Sequence, residues 1–183
     1  MKEEQLINEI KENPSQFRLV YDGHYQKIFN YCFKRTKDFD ASKDIASETF
    51  LKAFININKF RWKGVSLQSW LYRIATNEIN LHYRSKKYHP TLLTEIGNSQ
   101  PVLSKQSDLL KEKKDAEHEM ERHKDFTKVQ EEIAKLPIKY QEVITLKHPE
   151  QLKIKDISSI LDKPEGTIKS LLSRGLNLLK QQL

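Results

Sequence analysis

Apolar residues recur at helical spacing along most of the chain. Residues 3–12 read as a short helix ended by Asn13-Pro14. From Ser15 onward, Phe17, Val20, Tyr21, Tyr25, Ile28, Phe29, Cys32 and Phe33 keep the period of one helix. Asp38, Phe39 and Asp40 break it. Ser42 is placed to cap the next helix, which carries Ile45, Ala46, Thr49, Phe50, Ala53, Phe54 and Ile57 on one side. Asn58 to Ser66 reads as a loop with Gly64 as its flexible point. Another helix runs from about Ser66 to Lys87, where His89-Pro90 stops it.

Between 88 and 106 the periodicity disappears, and Pro90, Gly97, Asn98, Pro101 and Ser104 mark a linker. Residues 108–125 mix both charge signs densely and predict a solvated helix running into the next domain. Apolar spacing returns at Phe126, Val129, Ile133 and Leu136, then at Tyr140, Val143, Ile144 and Leu146 after the break at Pro137. His148-Pro149 stops that helix. Ile154, Ile157, Ile160 and Leu161 form a short one, Asp162-Lys163-Pro164 a turn, and Ile168, Leu171, Leu172, Gly175, Leu176 and Leu179 a last one. The pattern predicts an all-α protein: two small helical domains, 1–88 and 125–183, joined by a flexible linker over 89–124. No internal repeat is present.

Composition sharpens this picture. Hydrophobic residues make up 37% of the 183 and charged residues 31%, polar for a single compact core yet above the disordered range. The formal net charge of +7 points to a polyanionic partner, nucleic acid ahead of an anionic membrane. Cys32 is the only cysteine, so an intramolecular disulfide and a cysteine zinc site are excluded, and its apolar neighbours predict a buried thiol. The N-terminus lacks a signal-peptide core and no run of about 18 apolar residues occurs, so a cytoplasmic protein without membrane insertion is expected.

Candidate chemistry lies in three places. On the helix over 66–87, Trp70, Leu71, Ile74, Ala75 and Leu81 make one face, and Arg73, Asn77, Asn80, Arg84 and Lys87 fall on one stripe. Arg and Lys neutralise phosphates, and Asn amides pair with base edges. The preceding Lys59-Phe60-Arg61-Trp62-Lys63-Gly64 interleaves cations and rings, a composition suited to unpaired bases. An ordinary amphipathic helix with a solvated face fits the stripe as well. Second, residues 154–177 match a helix-turn-helix, with Glu165, Thr167, Lys169, Ser170, Ser173, Arg174 and Asn177 left polar on the second helix. A plain helical hairpin is the competing reading. Third, Asp44, Glu48 and Lys52 sit on the outer side of their helix, a face that either docks a partner or is solvated. No Gly-rich phosphate loop, GxSxG or HExxH occurs, and His118 and His123 are too far round a helix to share a metal. No catalytic residue, metal site or cofactor is expected.

These features, in this order, resemble the extracytoplasmic-function sigma factors of the sigma-70 family. FRLVYDGHYQKIFNYCFKRT, DIASETFLKAF and SLQSWLYRIATNEINLHYR are similar to the family's region 2, and IAKLPIKYQEVITLKH and DISSILDKPEGTIKSLLSRGLNLL to its region 4. The resemblance implies a subunit that binds core RNA polymerase and promoter DNA and directs transcription initiation, without covalent chemistry. An anti-sigma factor is a further partner it implies. Asp44, Ile45, Glu48 and Leu51 would grip the polymerase. Phe60, Arg61, Trp62, Lys63, Arg73, Asn77, Asn80, Arg84 and Lys87 would capture and melt the −10 element. Glu165, Thr167, Lys169, Ser170, Ser173 and Arg174 would read the −35 element. Ser47 stands where the family usually has Gln, Leu171 and Leu176 where basic residues are common, Asp162 where Gly is common in the turn, and Pro164 where a capping Ser is common. A stand-alone helix-turn-helix regulator is the alternative.

Overall fold

A computed structural model of the chain describes residues 3–60, 65–88, 128–148 and 150–183. The expected linker and the charged helix over 108–125 lie outside these residues. Among the described residues every regular element is a helix. They are α1 (Glu3–Glu12), α2 (Phe17–Thr36), α3 (Phe39–Asn56), α4 (Leu67–Tyr88), α5 (128–135), α6 (Ile138–Lys147), α7 (Ile154–Leu161) and α8 (Glu165–Gln182).

The first lobe, α1–α4, is built on α2, α3 and α4, each packed against the other two. Ile28, Leu71, Ala46, Ala53, Ala75 and Ile79 are buried at their centre. The small side chains let the helices approach, and Tyr31 and Tyr72 fill the remaining width edge to face, ring centroids 5.2 Å apart. Tyr31 shares a hydrogen bond of 2.9 Å with Thr76, so its hydroxyl is buried with a partner.

The α2–α3 corner is tighter than the apolar pattern predicts. Lys37 ends α2 in the left-handed region (φ 58), its N–H donating to the Phe33 carbonyl. Asp38 then caps α3, its carboxylate accepting from the Ala41 N–H at 3.0 Å. The predicted cap, Ser42, instead lies buried inside α3, sharing a hydrogen bond of 2.7 Å with Thr36. Asp38 wins because its carboxylate reaches the free N–H groups of the first turn one residue after the reversal.

In the second lobe, α6 packs on α8 and α7 on both. Gly175 sits where α8 crosses α6: a Cβ there would lie 3.0 Å from the Ile144 side chain and 3.1 Å from Tyr140 Cβ. Ile157, Ile160 and Ile168 close the helix-turn-helix core, with Leu161 and Leu172 partly buried beside them, as the periodicity predicts. Asp162 makes the turn with φ 53, a conformation that Asp tolerates better than most side chains. Pro164 stands one residue ahead of α8, and its carbonyl accepts from the Ile168 N–H. The buried apolar residues of both lobes join in one cluster.

Candidate nucleic-acid interface

Helix α4 carries the predicted stripe. Leu67, Leu71, Ala75 and Ile79 bury one side, and Arg73, Asn77 and Arg84 emerge exposed on the other, with Asn80 half-buried between them. Helical period alone therefore brings these four together. Lys87 lies on α4, with its side chain outside the described set, as are Arg61, Trp62 and Lys63 of the loop.

Phe60 is placed differently from the expectation. It is only 6% exposed, and its ring packs 4.9 Å from that of Trp70. A buried ring offers no open face for a base, so Phe60 belongs to the core beside Trp70. Trp70 stays partly accessible at the edge of a cleft of about 380 Å³ between α3 and α4. Lys52, Asn56, Lys59, Asn77 and Glu78 complete the rim, a mixture of cation, carboxylate and amide beside the ring. Its volume is in the range of small-ligand pockets.

Lys52 ties the cleft's walls together. Its ammonium donates to Glu78 of α4 at 2.7 Å and pairs with Glu48 at 3.4 Å. The Glu78 hydrogen bond, first, and the neighbouring carboxylates hold its pKa above the ordinary lysine value. The outer face of α3 presents Asp44 and Leu51 to solvent, with Glu48 half-buried. Ile45 points the other way into the core, so it supports this face from behind and has no surface for a partner.

On α8, Glu165, Thr167, Lys169, Ser170, Ser173 and Arg174 are all exposed. Burial of Ile168, Gly175 and Leu179 turns them outward. Exposed Glu165 in the first turn faces the positive end of the helix dipole. Short side chains lie between the two cations, Lys169 and Arg174, on this exposed face.

Periodicity gave no sign of Tyr72, Glu142 and Glu150 as polar residues of consequence. Tyr72 donates its hydroxyl to Glu150, and Lys34 reaches the same carboxylate at 3.1 Å. Burial, then that carboxylate, drives the Tyr72 pKa far above the phenol range, so it stays a donor. Glu142 is buried and accepts from the Asn80 amide at 3.1 Å. The partners are 62 to 116 residues apart, and no local spacing marks them. Cys32 is fully buried, as expected, and burial pushes its thiol up to about 12. Among the described residues no group of His, Cys, Asp and Glu is arranged to hold a metal, and no helix is long and apolar enough to cross a membrane.

Known proteins match this arrangement over both lobes. The sigma-70 region 2 family matches residues 20–88, and sigma-70 region 4 matches residues 126–179. The chain is 32% identical over 178 residues to the ECF RNA polymerase sigma factor SigW of Bacillus subtilis, covering 97% of this chain and 94% of that one. It is 30% identical over 165 residues to the RNA polymerase sigma factor YlaC of Bacillus subtilis, covering 90% of each. Two solved structures share the fold. The sigma factor RpoE of Bartonella quintana, solved with the anti-sigma factor NepR, has a TM-score of 0.67 at 20% identity, covering 90% of this chain and 94% of that one. CnrH, solved with the cytosolic domain of CnrY, has a TM-score of 0.65 at 16% identity, covering 98% and 96%.

Proposed function

This chain belongs to the extracytoplasmic-function sigma factors of the sigma-70 family, and from that premise we propose how its two lobes divide promoter recognition. Helix α4 and the loop before it hold the −10 element, α8 reads the −35 element, and the outer face of α3 seats core RNA polymerase. The observation that carries this division is the stripe of Arg73, Asn77, Asn80 and Arg84 running from an open, ring-bearing cleft. A cation-and-amide stripe follows one strand's backbone, and the cleft beside Trp70 receives a base that has left the stack.

Melting is then a matter of differential binding. A duplex keeps its bases inside, where the cleft has nothing to hold. A separated strand gives the stripe its phosphates and the cleft a base, so the protein favours the open form. The second lobe adds duplex affinity through Lys169 and Arg174, with Thr167, Ser170 and Ser173 at base edges or phosphates. Asp44, Glu48 and Leu51 offer the polymerase an acidic rim around an exposed apolar side chain. Each lobe binds weakly alone, and polymerase makes the second contact effectively intramolecular. The protein acts in the cytoplasm, where its polymerase is, and does no chemistry itself. A stand-alone regulator needs neither the α3 face nor the cleft, and the region 2 match leaves that reading without support.

The test is co-elution with core polymerase followed by transcription of a genomic fragment library. Stable co-elution with new, discrete start sites is expected. Failure to bind where a control sigma factor binds returns the chain to a stand-alone regulator. Arg73→Ala with Asn77→Ala should spare polymerase binding and lower promoter opening about tenfold, the loss of two modest contacts. A normal permanganate-reactive bubble in that double variant removes the stripe from the mechanism. Lys169→Ala with Arg174→Ala should weaken upstream protection in a footprint and lower the salt slope by about two.

A further inference from the structure

Helix α1 contributes no residue to the faces described above, and the region 2 match begins only at residue 20. It is nevertheless firmly seated in the first lobe. Ile7 and Ile10 are buried and join Ile57 and Leu67 in the core cluster. The helix packs against the single turn over Ile57–Lys59. Its first residue, Glu3, is half-buried, and the Glu3 carboxylate accepts from the Leu67 N–H at 3.3 Å. Burial first, then the Lys27 charge, lower the His24 pKa, and Glu3 partly offsets them. Glu3 therefore stands where α1, α2 and α4 meet.

Both segments that α1 touches lead straight into the cleft. The turn Ile57–Lys59 runs into Phe60, whose N–H donates to the Ile57 carbonyl at 3.1 Å, and Lys59 and Phe60 line the cleft. Leu67 opens α4, and the cleft residue Trp70 follows within one turn. The first N–H groups of a helix have no partner inside it. Ser66 serves one of them locally, its hydroxyl accepting from the Ser69 N–H at 3.1 Å. Leu67 is served from the other end of the lobe, by a residue 64 positions away.

We infer that Glu3 is a positioning residue for the −10 cleft: from behind, α1 fastens the Ile57–Phe60 segment to the start of α4 and so fixes where Phe60 and Trp70 stand when a base arrives. The inference rests on the cleft's proposed role in holding that base. Two observations support it. The local bonds, Ser66 to Ser69 and Phe60 to Ile57, each lie within one segment, whereas the Glu3 bond and the α1 packing span both. The acceptor is also a carboxylate at the positive end of α4, where a charged acceptor holds an N–H more strongly than a neutral one. A wall ordered in advance adds no ordering cost when the ligand enters. A helix start that frays would carry that cost into promoter opening.

The test compares Glu3→Ala, which removes the acceptor, with Glu3→Gln, which keeps an acceptor and loses the charge. In the free full-length chain, hydrogen exchange at the Leu67 amide should speed up about fivefold in Glu3→Ala and by less in Glu3→Gln. With core polymerase, the permanganate-reactive bubble of Glu3→Ala should fall about threefold and recover in Glu3→Gln, while polymerase affinity, upstream protection and the melting temperature stay at the parent values. Unchanged exchange at Leu67 in Glu3→Ala overturns the inference. So does a full bubble in a variant whose Leu67 exchanges faster, because the cleft then works without the brace. A fall in the bubble matched by falls in polymerase affinity and melting temperature overturns it as well, since Glu3 would then serve the fold as a whole. If the parent protein opens no promoter, the cleft's assignment fails by itself, and exchange at Leu67 alone decides the brace.

Discussion

The two lobes solve the same packing problem with different means. Among the described residues the first buries eighteen hydrophobic side chains and the second ten. In the first, aromatic rings and a buried Tyr31–Thr76 hydrogen bond knit three long helices together. The second relies on aliphatic contacts and one close crossing at Gly175. A small core stabilises little beyond the entropy it must offset. The second lobe keeps most of α8's outer face polar, and its smaller core leaves less reserve against a lost contact. The first carries its cleft on a broad, stiff base.

The largest expected effect tests this directly. Ile168→Ala and Leu71→Ala both empty fully buried positions and should each cost about 2–5 kcal/mol. In the second lobe that loss is expected to exceed the reserve of its smaller core. Native-state hydrogen exchange should show α7 and α8 unprotected in Ile168→Ala while α2–α4 stay protected. Leu71→Ala should lower the protection of the first lobe and leave it folded. Equal, global loss in both variants would break the comparison and make the lobes one cooperative unit.

Gly175 gives a smaller and sharper test. A Cβ there meets Tyr140 Cβ at 3.1 Å, an atom held by its own backbone, so Gly175→Ala should destabilise by about 1–3 kcal/mol despite alanine's better helix propensity. Gly166 lies on the same helix with nothing within 4 Å of its Cβ position. Gly166→Ala should stabilise by about 0.5–1 kcal/mol. Thermal melts of the two variants must shift in opposite directions. A gain at Gly175 would mean that α6 and α8 part easily and the crossing holds little.

In the first lobe, Asp38→Ala removes the α3 cap and should cost about 1 kcal/mol. Lys37→Gly relieves the left-handed residue before it and should return about 1 kcal/mol. Urea midpoints measure both. The smallest effect at neutral pH is that of Cys32. Its thiol is pushed up to about 12 in the fold, against an ordinary value of 9.0. The folded state therefore holds its proton more tightly. The associated stability is fully present below pH 9 and is lost as pH rises from there through about 12. At pH 8 a disulfide reagent should label Cys32 only at the rate at which the first lobe opens; rapid labelling of folded protein would show that α2 is loosely held.

Much of this molecule was legible in its sequence because period and burial are local signals. The helices, the α4 stripe and the outward face of α8 each follow from which positions are apolar. Ser42 misled because a hydroxyl near a helix start is a common cap, and only the chain reversal at Lys37 put Asp38 in reach of the free N–H groups. Phe60 misled because an aromatic between cations suits a base as well as it suits a core. Its packing against Trp70 is decided by how α3 and α4 meet.

The sequence by itself determined an all-helical chain, a basic charge, a thiol in an apolar setting and the exposed polar faces of α4 and α8, since each depends on residues within a few turns of one another. The tertiary structure alone decided that Lys52 ties α3 to α4 through Glu78 and that Glu150 brings together Lys34 and Tyr72. Those partners come from segments far apart in the chain. A charged side chain pairs with whatever the packing of distant apolar faces carries to within about 3 Å of it.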